Sequence, residues 1–166
     1  MTGGFTAPQI DWAQLAPIII VLGAGVVGVL VEAFVPRGVR RTVQLAIALV
    51  ATAGALIAVS ALWAGVAETG GTAVVGGSVM IDGPALVIQG IVAGLTLIAL
   101  LVIADRTETG ENAFAPSAAA VPGSDYELLS RRAGLEQTEV FPLVLFAAGG
   151  MMIFPAAGDL LTMFVA

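Results

Sequence analysis

The sequence has no cysteine and no histidine among its 166 residues. Zinc sites built from cysteine and histidine, iron–sulfur clusters held by thiolates, haem held by histidine and histidine-based catalytic triads are therefore excluded within this chain. Lysine is absent as well, so all six basic residues are arginines. We expect no metal and no cofactor in this chain, and carboxylates remain as its candidate chemical groups.

Charge is also scarce, because 11% of the residues are charged and 58% are hydrophobic. A soluble domain has about one quarter charged residues. Four stretches carry no charge at all: residues 12–31, 42–67, 83–104 and 140–158. A helix needs about 20 apolar residues to cross a bilayer core. The sequence therefore predicts an all-α integral membrane protein with four transmembrane helices and the start of a fifth. Their approximate ranges are 13–34, 42–66, 84–104, 138–154 and 159–166.

The arginines fall into two groups, which predicts the orientation of these helices. Three lie in residues 35–41 and three in residues 105–137, whereas the N-terminus and residues 67–83 contain none. Because cytoplasmic loops are enriched in Lys and Arg, we expect both basic loops in the cytoplasm and the N-terminus outside. No basic residue precedes the first apolar stretch, so this stretch is not a secretory signal peptide. The net charge of −6 argues against a nucleic-acid surface.

Two loops carry local signals for secondary structure. Residues 72–75 and 78–81 are strand-like and flank Gly76 and Gly77, which suit a two-residue hairpin turn. We therefore expect a small external β-hairpin within the loop 67–83. In the cytoplasmic loop, the spacing of Ser124 and Glu127 is that of a capping box and predicts a short surface helix near residues 125–133.

The first apolar stretch contains Gly23, Gly25 and Gly28, which match the pattern G-x-G-x-x-G. In a dinucleotide-binding domain this pattern follows a strand, and an acidic residue about 20 positions later binds the ribose. Here the next acidic residue after Glu32 is Glu68, which is too distant. Small residues in membrane helices more often allow close helix packing, so we predict this role for the three glycines. The same prediction applies to Gly90 and Gly94.

Three carboxylates, Glu32, Glu139 and Asp159, lie in or near the predicted spans. Ionisable groups at membrane depth are costly and often functional. Each also has a structural explanation. Glu32 is close enough to Arg37 to reach the membrane interface, Glu139 falls in the first turn of the fourth helix, and Asp159 is a natural N-cap. We take Glu139 as the leading functional candidate and the other two as weaker candidates.

The last residues predict that the polypeptide is longer than the given sequence. A helix over residues 160–166 that enters from outside reaches only about 10 Å into the membrane. Its last carbonyl groups would then lie unsatisfied in hydrocarbon, which costs several kcal/mol each. We expect a longer chain for this reason.

Four segments resemble subunit N of bacterial NADH–quinone oxidoreductase, the respiratory complex I. They are residues 79–85 (VMIDGPA), 137–147 (QTEVFPLVLFA), 149–152 (GGMM) and 157–166 (AGDLLTMFVA). This subunit is antiporter-like and related to subunits of Mrp-type cation/proton antiporters. The resemblance extends over the whole chain and covers about the first third of such a subunit.

The resemblance implies a function in proton translocation coupled to quinone reduction elsewhere in the complex. It implies that flavin, iron–sulfur clusters and quinone belong to other subunits, and that the partners are other membrane-arm subunits in the bacterial inner membrane. A glutamate of the family's fifth helix would fall just beyond residue 166, and the family's later lysines are absent. Glu139 is then the proton-pathway candidate within this chain, as an auxiliary site or a structural cap.

Two alternatives remain open from the sequence. The chain could be a subunit of an Mrp-type cation/proton antiporter, which would purify with small membrane subunits only. It could also be a small membrane scaffold or assembly protein, whose intact mass would match the calculated 16.7 kDa. A dehydrogenase is a distant third possibility.

Overall fold

In a computed structural model that describes residues 10–105 and 138–166, the chain is mainly α-helical. The predicted surface helix at residues 125–133 and its capping box lie outside the described residues, as does nearly all of the loop 105–137. The helices are α1 (Ala16–Phe34), α2 (Arg37–Thr69), α3 (Gly83–Ala104), α4 (Val140–Ile153) and α5 (Leu160–Val165).

Three of these helices, α1, α2 and α3, are long and apolar enough to cross a membrane. This confirms that the first three apolar stretches form helices that could span a membrane. The 14 residues of α4 are fewer than the ~20 that a span requires. The fourth crossing and the orientation of the helices therefore remain predictions.

Proline separates α1 from α2 and sets the beginning of α2. The residue before a proline disfavours the helical region, and Val35 is indeed extended with φ −87° and ψ 135°. Pro36 then stands at the N-cap of α2, which begins at Arg37. The expected basic loop 35–41 is therefore wrong in extent, because only Val35 and Pro36 connect the two helices. Arginine is a good helix former, so α2 begins before residue 42 and includes the three arginines that precede the apolar stretch.

The predicted β-hairpin is confirmed between α2 and α3. Gly70 ends α2 in the left-handed conformation at φ 78°. Strands β1 (Thr72–Val74) and β2 (Val79–Ile81) then pair antiparallel, with Val74 opposite Val79. The predicted two-residue turn is wrong, since this register leaves four residues in the loop. Val75 joins the two glycines in positive φ, at 53°, and this lengthens the connection.

The hairpin also contacts the break between α4 and α5. Pro155 has no N–H to continue the α4 ladder, and α4 passes into a 3₁₀ turn over Phe154–Ala156. The Gly158 N–H then donates to the Ser78 carbonyl at 2.8 Å, and Ala157 forms a bridge with Val79. The expected helix break at residues 155–158 is therefore present, and the hairpin supplies part of its hydrogen bonding.

The helices pack around two apolar clusters. Helix α1 lies between α2 and α4, and α3 also contacts both of these helices. The larger cluster contains Ile18, Val21, Ala48, Ala55, Ala93, Leu100, Phe141, Leu145, Ala148 and Met152. The smaller cluster lies beside the hairpin and contains Val59, Val66, Val74, Ile81, Ala85, Leu86 and Ala156. Many large apolar side chains outside these clusters remain exposed, as expected for a surface that faces lipid.

Candidate functional site

A polar cluster lies where α1 ends and α2 begins, and it contains one of the three candidate carboxylates. Glu32, in the last turn of α1, accepts from Arg40 Nη1 at Oε2 over 3.1 Å. Its other oxygen, Oε1, accepts from Gln44 Nε2 at 2.8 Å. We call Glu32, Arg40 and Gln44 the Glu32 cluster. Its side chains are mostly enclosed, since 16% of the Glu32 side chain and 21% of the Arg40 side chain are exposed.

Gln44 connects this cluster to the helix backbone. Its side chain is 1% exposed, and Nε2 also donates to the Gly28 carbonyl at 2.8 Å. Burial of an amide is unfavourable unless it is hydrogen-bonded, and here one nitrogen satisfies acceptors on the backbone and on a side chain of α1. The sequence analysis placed Glu32 near Arg37 without a partner, and the structure shows that Arg40, one turn further along α2, contacts it.

Two consecutive arginines at the start of α2 bind the carboxyl ends of both neighbouring helices. Arg40 donates from Nε and Nη2 to the Val35 carbonyl at 3.1 and 2.8 Å. Arg41 donates from Nη2 to the Ala104 carbonyl at 2.9 Å, at the last residue of α3. The last carbonyl groups of a helix have no partners within it and carry partial negative charge, which favours a cation. The N-terminus of a helix is partially positive, so basic residues there are unfavourable. The contacts of Arg40 and Arg41 with α1 and α3 offset this cost.

Glycines allow α1 and α4 to approach closely. A Cβ on Gly25 would lie 3.0 Å from the Phe146 ring, and a Cβ on Gly28 would lie 3.1 Å from Pro142 Cβ. On α4, a Cβ on Gly149 would overlap the side chain of Leu22. Later residues of α1 contact earlier residues of α4, so α1 and α4 are antiparallel.

The other predicted packing glycines have looser surroundings among the described residues. Gly23 is exposed, and a Cβ there or on Gly94 would meet no atom within 4 Å. A Cβ on Gly90 would make an ordinary contact of 3.5 Å with Val59.

The pattern Gly23, Gly25 and Gly28 lies within α1 and not in a turn between a strand and a helix, so it lacks the context of a dinucleotide-binding fingerprint.

Glu139 and Asp159 lie at opposite ends of α4 and are not part of the Glu32 cluster. Glu139 stands one residue before α4, is exposed and makes no capping hydrogen bond with its side chain. Because α1 and α4 are antiparallel, Glu139 and Glu32 lie at the same end of the bundle. Among the described residues the three candidates therefore do not meet in one site, and Glu32 is the one that lies in the cluster with Arg40 and Gln44.

Asp159 occupies the N-cap position predicted for it. Its carboxylate accepts from the Thr162 backbone N–H at 2.7 Å, at the start of α5. This hydrogen bond satisfies one of the free N–H groups at the start of α5. The carboxylate is solvent-exposed and serves as a helix cap.

Two buried glutamines were missed by the sequence analysis. Gln44 belongs to the Glu32 cluster, and Gln89 in α3 is fully buried and donates from Nε2 to the Met152 carbonyl at 3.1 Å. The available signal was the presence of an uncharged but strongly polar side chain inside an apolar stretch. In such a stretch a polar group needs a partner from a neighbouring helix.

Curated proteins with similar sequences share one name. The chain is 60% identical over 98% of its length to NADH-quinone oxidoreductase subunit N of Beutenbergia cavernae. It is 49% identical to the subunit N of Acidothermus cellulolyticus and 42% identical to that of Mycobacterium tuberculosis, over 96% of its length in both cases. The chain spans about a third of the length of these relatives, with 32%, 30% and 33% covered.

No protein-family model matches the chain. The relatives nevertheless agree with one another in name, and the aligned part is an N-terminal portion. The resemblance found in the four sequence segments is thereby confirmed, and the chain is similar over nearly its whole length to the N-terminal part of NADH-quinone oxidoreductase subunit N.

Proposed function

We propose that this chain forms part of the membrane arm of a proton-pumping NADH–quinone oxidoreductase and contributes to proton translocation coupled to quinone reduction. The observation that carries the proposal is the 60% identity to a protein of this name over 98% of the chain. The three long apolar helices support it, because a membrane-arm subunit must cross the bilayer. Flavin, iron–sulfur clusters and quinone are then bound by other subunits of the complex.

The proposal includes a multi-pass topology in the bacterial inner membrane with the N-terminus outside. Arg40 and Arg41 lie at the end of the bundle where α1 and α3 finish, whereas the hairpin lies at the other end. Since Lys and Arg are enriched on the cytoplasmic side, the arginine end is assigned to the cytoplasm and the hairpin to the outside. In this arrangement α4 with its 3₁₀ turn forms a fourth crossing and α5 begins a fifth.

Glu139 is the proton-pathway residue that we propose within this chain. Glu32 and Asp159 are each engaged as structural groups, the first by Arg40 and Gln44 and the second by the Thr162 N–H. Glu139 is exposed and no capping bond occupies its carboxylate, so it remains available to exchange protons at the end of α4.

Purification of the tagged subunit from its native membrane tests the function. We expect the subunit to copurify with peripheral proteins that contain flavin and iron–sulfur clusters, and the preparation to oxidise NADH with a quinone as acceptor. Copurification with small membrane subunits alone, without bound flavin or iron, would support the Mrp-type antiporter instead. Purification without partners would support a scaffold or assembly protein.

A further inference from the structure

Gln89 lies near the start of α3 and is completely buried between α3 and the end of α4. Its Nε2 donates to the Met152 carbonyl at 3.1 Å. A carbonyl oxygen can only accept, so the amide nitrogen must face Met152 and Oε1 must point elsewhere. The contact with Met152 therefore fixes the orientation of the whole amide group.

The oxygen of this amide has no hydrogen-bond donor among residues 10–105 and 138–166. Gln89 has a relative exposure of 0%, so the neighbouring helices already enclose it. A buried acceptor without a donor is costly, and more so in a membrane interior than at a wet surface. Because the side chain is already enclosed, a small donor reaches this oxygen more readily than a further side chain does.

The end of α4 has a second carbonyl acceptor one residue before the Met152 carbonyl that Gln89 contacts. Pro155 has no N–H, so the Met151 carbonyl loses the donor that an unbroken helix would give it. The Met152 carbonyl, one residue later, accepts from Gln89. The site therefore combines an amide oxygen with carbonyl oxygens at the carboxyl end of a helix, and all of these groups are neutral acceptors.

We propose that one buried water molecule binds between Gln89 Oε1 and the carbonyl groups at the end of α4. Water can donate two protons, one to Oε1 and one to a carbonyl oxygen, and a buried water needs two to four polar partners. Ordered waters are one of the means by which broken membrane helices satisfy freed backbone groups. A divalent cation does not fit, because it requires about six oxygen ligands, usually with carboxylates among them. The water joins α3 to the broken end of α4.

Radiolytic hydroxyl footprinting of native membranes that contain the full-length subunit in its complex tests this site. A bound water releases hydroxyl radicals locally under the beam, and the sulfur of a methionine is oxidised readily. Met152 is 0% exposed, so only an internal water can bring radicals to it. We expect oxidation of Met152 in the wild type, resolved from Met151 by tandem mass spectrometry, and a several-fold lower rate in Gln89→Leu.

Two controls accompany this measurement. Met80 on β2 is 46% exposed and should be oxidised equally in all samples. Gln44→Leu removes the other buried amide and should leave the oxidation of Met152 unchanged. An unoxidised Met152 in the wild type, or equal oxidation in Gln89→Leu, would overturn the proposal. The readout requires neither electron transfer nor proton pumping and is independent of the proposed function.

A second measurement applies if Gln89→Leu does not assemble. In a density map of the wild-type complex that resolves ordered waters, we expect a peak within hydrogen-bond distance of Gln89 Oε1 and of the Met151 or Met152 carbonyl. A well-resolved amide with no such peak would refute the water site.

Discussion

Glu32 and Glu139 lie at the same end of the helical bundle but in different surroundings. Both oxygens of Glu32 accept hydrogen bonds from α2, one from a guanidinium and one from a buried amide. Glu139 is exposed at the start of α4. A carboxylate that is held in this way stabilises the contact between two helices, whereas the exposed Glu139 makes no such contact among the described residues.

We expect Glu139→Gln to lower proton pumping several-fold while leaving the amount of assembled complex unchanged. Glutamine keeps the size of the side chain but cannot carry a proton to and from a carboxylate. Fluorescence quenching in inverted vesicles measures pumping, and NADH oxidation with an artificial acceptor measures the amount of complex. Pumping at the wild-type rate would remove Glu139 from the proton pathway.

Glu32→Gln is the same substitution at the other glutamate, and we expect it to change assembly instead of pumping. Loss of the charge leaves Arg40 without its ionic partner and costs about 1–2 kcal/mol of stability. We expect less assembled complex, with normal pumping per assembled complex. A selective loss of pumping would instead assign Glu32 to the proton pathway.

The glycines of α1 provide a second pair at the scale of single residues. A Cβ on Gly25 would press on the Phe146 ring at 3.0 Å, whereas a Cβ on Gly23 would meet no atom of the described residues within 4 Å. Overpacking of this kind costs about 1–3 kcal/mol. We expect Gly25→Leu to lower the thermal stability and abundance of the subunit, and Gly23→Leu to leave both near the wild-type level. Equal effects of the two changes would contradict the α1–α4 contact.

The sequence predicted the role of α1 in helix packing but not which of its glycines makes the contact. The pattern of small residues indicated a packing helix. It did not show that Gly25 faces α4 and Gly23 does not, because this depends on how α1 is rotated relative to α4. The partner of Glu32 was missed for a similar reason. Its identity depends on where α2 begins, and the boundary of a helix that carries charges past its apolar stretch is not given by hydropathy.

At the scale of elements, the break between α4 and α5 is joined to the hairpin. The prediction of both features succeeded because proline cannot continue a helix and glycine pairs favour tight turns. Their contact was not predictable, because it joins residues that are about 80 positions apart in the sequence. The four-residue loop was also missed, since Val75 adopts a positive φ that is uncommon for a β-branched residue.

A substitution at Gly158 should disturb this junction. A Cβ there would overlap the carbonyl oxygen of Gly77 in the hairpin loop. We expect Gly158→Ala to lower the melting temperature of the subunit in detergent by several degrees, as about 1–3 kcal/mol of overpacking implies. Gly83→Ala is the control, because its Cβ would meet nothing within 4 Å among the described residues. An unchanged melting temperature in Gly158→Ala would show that the hairpin does not pack against the break between α4 and α5.

At the scale of the whole molecule, the described part of the chain has two different ends. Arg37, Arg40 and Arg41 stand at one end of the helices, and the hairpin stands at the other. The assignment of these ends to the two sides of the membrane rests on the charge bias alone. It therefore needs a direct measurement.

These 166 residues contain no cysteine, so a cysteine introduced here can be compared directly with the unsubstituted protein as background. Val39 in α2 and Met80 in β2 are 54% and 46% exposed and lie at opposite ends of the bundle. In right-side-out vesicles, we expect a membrane-impermeant maleimide to label Met80→Cys at once and Val39→Cys only after permeabilisation. The reverse order would invert the topology, and equal labelling would contradict a membrane-crossing α2.

The two arginine contacts at the start of α2 also limit how the helices can move. Arg40 holds the end of α1 and Arg41 holds the end of α3, and both belong to the same turn of α2. A movement of α2 relative to α1 or α3 therefore has to break or rearrange these hydrogen bonds, whereas the break that leads from α4 into α5 lacks an arginine contact of this kind among the described residues.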